Sequence, residues 1–151
     1  MKKAFIWMLL LVCLLVLFHT SIDAASQWHD LGSGWKIRLD SPHNATNNKW
    51  HVHVENNNGS VKATENVDGT NHDGGNLDKL PKKVREKARN SKDYKKGKEN
   101  QKKTDAAKMQ IKKKGLNAKN ALQWAAIIAI LILFGLAVYF TGGAALAALA
   151  V

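Results

Sequence analysis

Trp50-His51-Val52-His53-Val54-Glu55-Asn56-Asn57-Asn58-Gly59-Ser60-Val61-Lys62-Ala63-Thr64 decides how this chain is read. Residues 50–55 alternate strictly, placing Trp50, Val52 and Val54 on one face of a strand and His51, His53 and Glu55 on the other. Asn58-Gly59 supplies a two-residue hairpin turn, because both residue types tolerate positive φ. Closing the chain there sets Glu55 opposite Lys62, Val54 opposite Ala63, His53 opposite Thr64 and Trp50 opposite Val67. Opposite charges meet and apolar residues pair, as a half-buried hairpin requires. Val52 opposite Glu65 fits that face poorly and predicts a bulge or fray.

Working outward, Trp35-Lys36-Ile37-Arg38-Leu39 alternates in the same way and predicts a further strand with Lys36 and Arg38 on its polar face. Polar connections follow at residues 39–50 and 67–76. A helix is expected from Asp78 as N-cap, with Pro81 in its first turn and a stripe of Leu80, Val84 and Ala88 that covers the sheet. Tyr94 joins the stripe if the helix resumes after Asn90-Ser91. Trp28, Trp35 and Trp50 are expected to supply much of the core. Such a body sits near the lower size limit for a domain without disulfides or metal. Almost nothing apolar lies in residues 95–103, which reads as a solvated linker or frayed helix. Thr104 then caps a short helix that stops at Gly115.

Both ends of the chain are apolar. Lys2 and Lys3, the uncharged run over residues 4–18 and small Ala24 have the form of a secretion signal. Cys13 lies inside that signal, so the mature chain is expected to lack disulfides, Cys-based zinc sites and Cys nucleophiles. Residues 121–151 carry no charged side chain. The Leu, Ile, Val and Phe residues from Leu122 to Phe140 are worth about 5 kcal/mol of membrane insertion, which predicts a transmembrane helix.

The predicted fold is therefore α+β, a small antiparallel sheet of about three strands with a covering helix, plus a C-terminal transmembrane helix. The expected divisions are a signal peptide at 1–24, an extracytoplasmic α+β domain at 25–94, a Lys-rich stalk at 95–120 and the span with its apolar tail at 121–151. The expected location is the cell membrane, single-pass, with the main domain outside the cytoplasm. The chain carries a net charge of +11. Residues 79–120 hold seventeen basic and four acidic side chains. That block points to anionic partners: lipid head groups, a wall polymer or RNA.

His51, His53 and Glu55 are the candidate catalytic residues, with Arg38 as a cation on the same surface. Same-face neighbours on a strand suit proton transfer, or two imidazoles gripping one ion. His43, His72 and Asp73 lie in flanking loops that can fold toward them. No metal or cofactor is assigned at this point, because H-x-H is short and no third ligand has diagnostic spacing. A polar surface strand with ordinary histidines is the plain alternative. RNA cleavage would need only a base, an acid and a cation, as this face supplies.

The layout of W-K-I-R-L-D at 35–40, H-V-H-V-E-N-N-N-G at 51–59, V-D-G-T-N-H-D-G-G at 67–75 and L-P-K-K-V at 80–84 resembles the small C-terminal toxin modules of bacterial polymorphic toxins. Several of those are RNases built from a few strands beside a helix. The resemblance spans residues 35–96 and implies roles for His51, His53, Glu55, Arg38 and His72. The expected function is a tethered exported module that binds a ligand or partner through its histidine face, with RNase-like activity as one form of it. The alternatives are the precursor of a secreted, bacteriocin-like C-terminal peptide, or a structural envelope protein without a site.

Overall fold

The computed structural model describes residues 27–43, 49–117 and 120–136. Four strands, β1 (His29–Gly32), β2 (Trp35–Asp40), β3 (His51–Asn56) and β4 (Lys62–Asn66), form one antiparallel meander in chain order. A 3-10 turn at Leu77–Lys79 leads to α1 (Lys82–Asn90) and α2 (Lys92–Lys113). A second 3-10 turn at Ala121–Gln123 precedes α3 (Trp124–Leu133).

The β3–β4 register pairs Glu55 with Lys62, Val54 with Ala63 and His53 with Thr64. The turn differs from the expected two-residue form. Asn56 N–H donates to Val61 O at 3.1 Å, so residues 57–60 form the loop, and only Gly59 has positive φ within it. Lengthening the loop by one residue at each end leaves the pairing unchanged. The expected bulge at Val52 and Glu65 is absent, because those two residues pair regularly. Glu65 is wholly buried yet satisfied: Arg89 donates through Nε at 3.0 Å and also through Nη2, Tyr94 OH donates at 2.7 Å, and Leu77 N–H donates at 3.1 Å. Burial pushes this carboxyl up, but those donors more than offset it and hold it below the usual range.

The prediction of about three strands is corrected to four. His29-Asp30-Leu31-Gly32 has one apolar side chain, too few for alternation to show. It becomes a strand by pairing with β2 across a tight turn in which Gly32, Ser33 and Gly34 all have positive φ.

One sheet face packs beneath the helices, with Ile37, Val52, Val54, Ala63, Val67, Leu77, Leu80, Val84, Ala88 and Tyr94 as its core. Trp35, Leu39 and Trp50 pack half-buried against it, whereas Trp28 stands exposed under the cations of Lys36 and Arg38. Asn76, not Asp78, caps the 3-10 turn, and α1 begins only after Pro81. Asp78 instead pairs with Arg85 and Arg89. Ser91 caps α2 by accepting from Tyr94 N–H at 3.1 Å.

Residues 95–103, a linker by composition, lie inside the 22-residue α2. Its contacts with the sheet are small or polar, which hid them from a hydrophobic pattern. A Cβ on Gly97 would sit 2.6 Å from Val67 Cγ1 and 2.7 Å from Leu39 Cδ1, so glycine permits the approach. Gln101 Oε1 accepts from Trp50 N–H at 2.8 Å. Thr104 is no cap: inside the helix, its Oγ1 accepts from Trp50 Nε1 at 3.1 Å and donates to Asn100 O at 2.9 Å.

The expected transmembrane helix is also corrected. Within the described part of that segment, Trp124–Leu133 form the ten-residue α3, about 15 Å long against roughly 30 Å of hydrocarbon. Among the described residues no helix is long and apolar enough to cross a membrane. Ile127, Ile130 and Leu131 of α3 instead pack on Ala107 and Ile111 of α2. The signal-peptide segment and the apolar tail from residue 137 lie outside the described residues.

Candidate metal centre

The sheet face away from the helices carries the polar half of each alternation. Asp40 is paired with His51, Arg38 with His53 and Lys36 with Glu55 across β2 and β3. On the other side, Asn66 is paired with His51 and Thr64 with His53. After β4 the chain turns through Asp68, whose carboxylate accepts from Thr70 and from Lys49 Nζ at 2.6 Å. It then returns along the sheet through a bridge between Glu65 and Asn71. Thr64 Oγ1 donates to His72 O at 2.7 Å, and Asn66 Nδ2 donates to Asn71 O at 2.8 Å. These bonds lay His72 over the sheet beside His51.

The two imidazoles stack, with centroids 3.6 Å apart and planes 13° from parallel. His53 meets His51 edge-on at 5.2 Å, and His43 lies edge-on to both stacked rings, at 5.1 Å from His51 and 5.8 Å from His72. His51 and His72 are buried although they belong to the polar face, because the returning loop covers them.

Their tautomers follow from their partners. His51 Nδ1 lies 3.1 Å from Lys49 O, which can only accept, so Nδ1 carries the hydrogen. His72 Nδ1 lies 3.0 Å from Asn66 Oδ1, whose amide nitrogen is committed to Thr70 and Asn71, so again Nδ1 donates. Each Nε2 is thus a bare lone pair, and both are buried without a hydrogen-bond partner among the described residues. An unsatisfied buried acceptor costs about 1–3 kcal/mol. Burial, foremost, pulls His51 down to about 4, the neighbouring histidines His72 and His53 adding to the fall. Burial also lowers His72. Both rings are therefore neutral at pH 7, the form that binds metals and cannot act as a general acid.

Carboxylates flank the lone pairs. Asp40 Oδ2 lies 3.2 Å from His53 Nε2 and 4.0 Å from His51 Nε2, and Arg38 fixes it with bonds of 2.9 and 2.7 Å. Asp73 Oδ2 stands 3.3 Å from His72 Nε2, an acceptor facing an acceptor, on a residue with φ of 48°. A cation between them would turn that opposition into attraction.

One ring nitrogen from each of His51, His53 and His72 lies within 4.8 Å of the others. Three nitrogens on one zinc at about 2.1 Å sit roughly 3.4 Å apart, so loading requires a contraction of up to about 1.4 Å. It also requires the stacked rings to rotate out of parallel until their lone pairs converge.

Of the sequence candidates, His51 and His53 meet here and Arg38 joins them through Asp40. Glu55 does not. It is held at the far end of β3 by Lys36 at 3.0 Å and Lys62 at 3.7 Å. Sequence reasoning left out Asp40, Asn66 and the Lys49 carbonyl. Asp40 was visible as the next outward position after Lys36 and Arg38, whereas the roles of Asn66 and Lys49 exist only through the fold.

No protein-family model, no curated protein and no solved structure matches this chain.

Proposed function

We propose that the protein is a metal-binding module whose centre takes one divalent transition ion of the zinc class on His51, His53 and His72. The observation that carries this reading is the pair of buried Nε2 atoms with no hydrogen-bond partner among the described residues, each held in the ligating tautomer by a hydrogen bond at the opposite ring nitrogen. Outer hydrogen bonds of that kind orient imidazole ligands and raise their basicity. Three neutral imidazoles suit zinc, copper or nickel and leave a further position for solvent or for the Asp40 carboxylate.

Titration of the full chain with Zn²⁺ against a chromophoric chelator tests it. One ion should bind per chain, and His51→Ala or His72→Ala should each weaken binding at least 100-fold, with circular dichroism confirming a folded variant. Equal affinity in wild type and His72→Ala would falsify the centre.

A second reading rests on His53 and Asp40, a half-buried pair at 3.2 Å with Arg38 alongside. In it His53 acts as a metal-free base in RNase-like phosphodiester cleavage. RNA cleavage that persists in chelator and vanishes in His53→Ala favours this reading, and cleavage abolished by chelator rejects it.

A further inference from the structure

Beside the histidine cluster, on the same sheet face, lies a hollow of about 210 Å³ lined by Lys62, Thr64, Asp73, Gly74, Gly75 and Lys79. It shares a wall with the cluster. Asp73 lines the hollow and reaches His72, and Thr64 lines it, pairs with His53 across the strands and bonds His72 O. The hollow is too small for a large organic ligand, since ordinary small-molecule pockets run from about 300 Å³ upward. It suits a compact group with a short substituent.

Charge decides which group. The face carries Lys36, Arg38, Lys62 and Lys79 against Asp40, Glu55 and Asp73, four cations to three carboxylates. All three protein ligands of the centre are neutral imidazoles, so a bound divalent ion keeps its whole charge and leaves the surface at +3. A metal in such a site is the largest local charge and recruits an anion to its open position. Two lysines line the hollow. The Lys62 side chain is 68% exposed and only loosely paired with Glu55, at 3.7 Å, and Lys79 Nζ makes one long bond of 3.4 Å to Gly74 O. Either can swing toward an incoming oxyanion without breaking the fold.

We infer that the hollow is an anion subsite for a phosphoryl group, held between the metal on His51, His53 and His72 and the ammonium groups of Lys62 and Lys79. The inference rests on the metal-binding reading and extends it to the class of ligand. A phosphoryl group fits better than a carboxylate because its three free oxygens can meet the ion and both lysines together. Nothing in this arrangement reads a base or a sugar, so recognition is confined to the phosphoryl group and its immediate substituent.

The test uses the full chain loaded with Co²⁺, whose visible spectrum reports the ion's own coordination. Inorganic phosphate and phenyl phosphate should each perturb the cobalt bands and give a measurable Kd by calorimetry, and acetate at the same concentration should leave them unchanged. The tighter of the two phosphates tells whether the natural occupant is free phosphate or an ester. In the Lys62→Ala/Lys79→Ala double variant, Co²⁺ affinity should stay within twofold while phosphate affinity falls at least tenfold. Phosphate affinity unaltered by that double change, or equal in the metal-free chain, overturns the subsite and leaves the metal centre standing. Failure of Co²⁺ to bind at all overturns both.

Discussion

His51 shows how one side chain can satisfy the strand alternation and still defy its usual meaning. It points to the polar face with His53 and Glu55, yet it is fully buried because residues 66–76 fold back across it. Its partner His72 depends on Asn66, whose side-chain oxygen holds the His72 hydrogen on Nδ1. Asn66→Ala should therefore reduce Zn²⁺ affinity about 10–100-fold while leaving all three ligands in place; a chelator competition measures it. Glu65 is the opposite case, a buried charge that is fully paired. Glu65→Ala leaves the Tyr94 hydroxyl and the Leu77 N–H without their acceptor and the Arg89 guanidinium with Asp78 alone, and should cost about 3–5 kcal/mol in urea unfolding. The same network lifts the Tyr94 hydroxyl far above its ordinary range, burial first and Glu65 second.

Among the helices, α2 touches the most neighbours, β2, β3, α1 and α3, and declares itself least. Its buried positions are Tyr94, Gly97, Thr104, Ala107 and Ile111, of which only two are large and apolar. Gly97→Ala should destabilise the fold by about 1–3 kcal/mol, because the added methyl meets Val67 and Leu39 well inside contact distance. At an exposed helical site the same change would stabilise, so the sign of the shift in thermal midpoint tests the packing. The sheet was far more legible. Val52, Val54 and Ile37 are inward as the alternation requires, and the β3–β4 pairing follows from the hydrophobic and charge pattern. β1 was not legible, since four residues with a single Leu carry no period. For α3, hydropathy registers apolar side chains equally whether a bilayer or another helix covers them. Here α2 covers them, through Ala107 and Ile111.

Taken whole, the molecule joins a small sheet body to a histidine cluster in which His51 and His72 are buried and neutral, and pH should control its stability. A histidine lowered from 6.5 to about 4 on folding binds its proton in the unfolded chain first. Stability is then full above about 6.5 and falls as pH drops toward 4, by up to about 3 kcal/mol from His51 alone. His72, lowered in the same direction, adds to that loss. Urea midpoints of the metal-free chain between pH 7 and pH 4 should fall accordingly, and His51→Gln should flatten the curve. Adding Zn²⁺ at 100 times its Kd should stabilise the fold at pH 7 by about 2.7 kcal/mol, an increment that shrinks in acid as protons compete for the lone pairs. By itself, the sequence determined what alternation and charge encode locally: two strands with their inward and outward faces, the hairpin pairing, the covering stripe of α1 and the placing of His51 and His53 on one surface. Tertiary structure alone decided the rest: that His72 and Asp40 complete the cluster, that His51 is buried and stays neutral, that Glu55 stands apart, and that the apolar residues of α3 fold against α2. The physical reason is that neighbours along a strand are set by its two-residue period, whereas burial and the desolvation that follows depend on which distant segment returns to cover them.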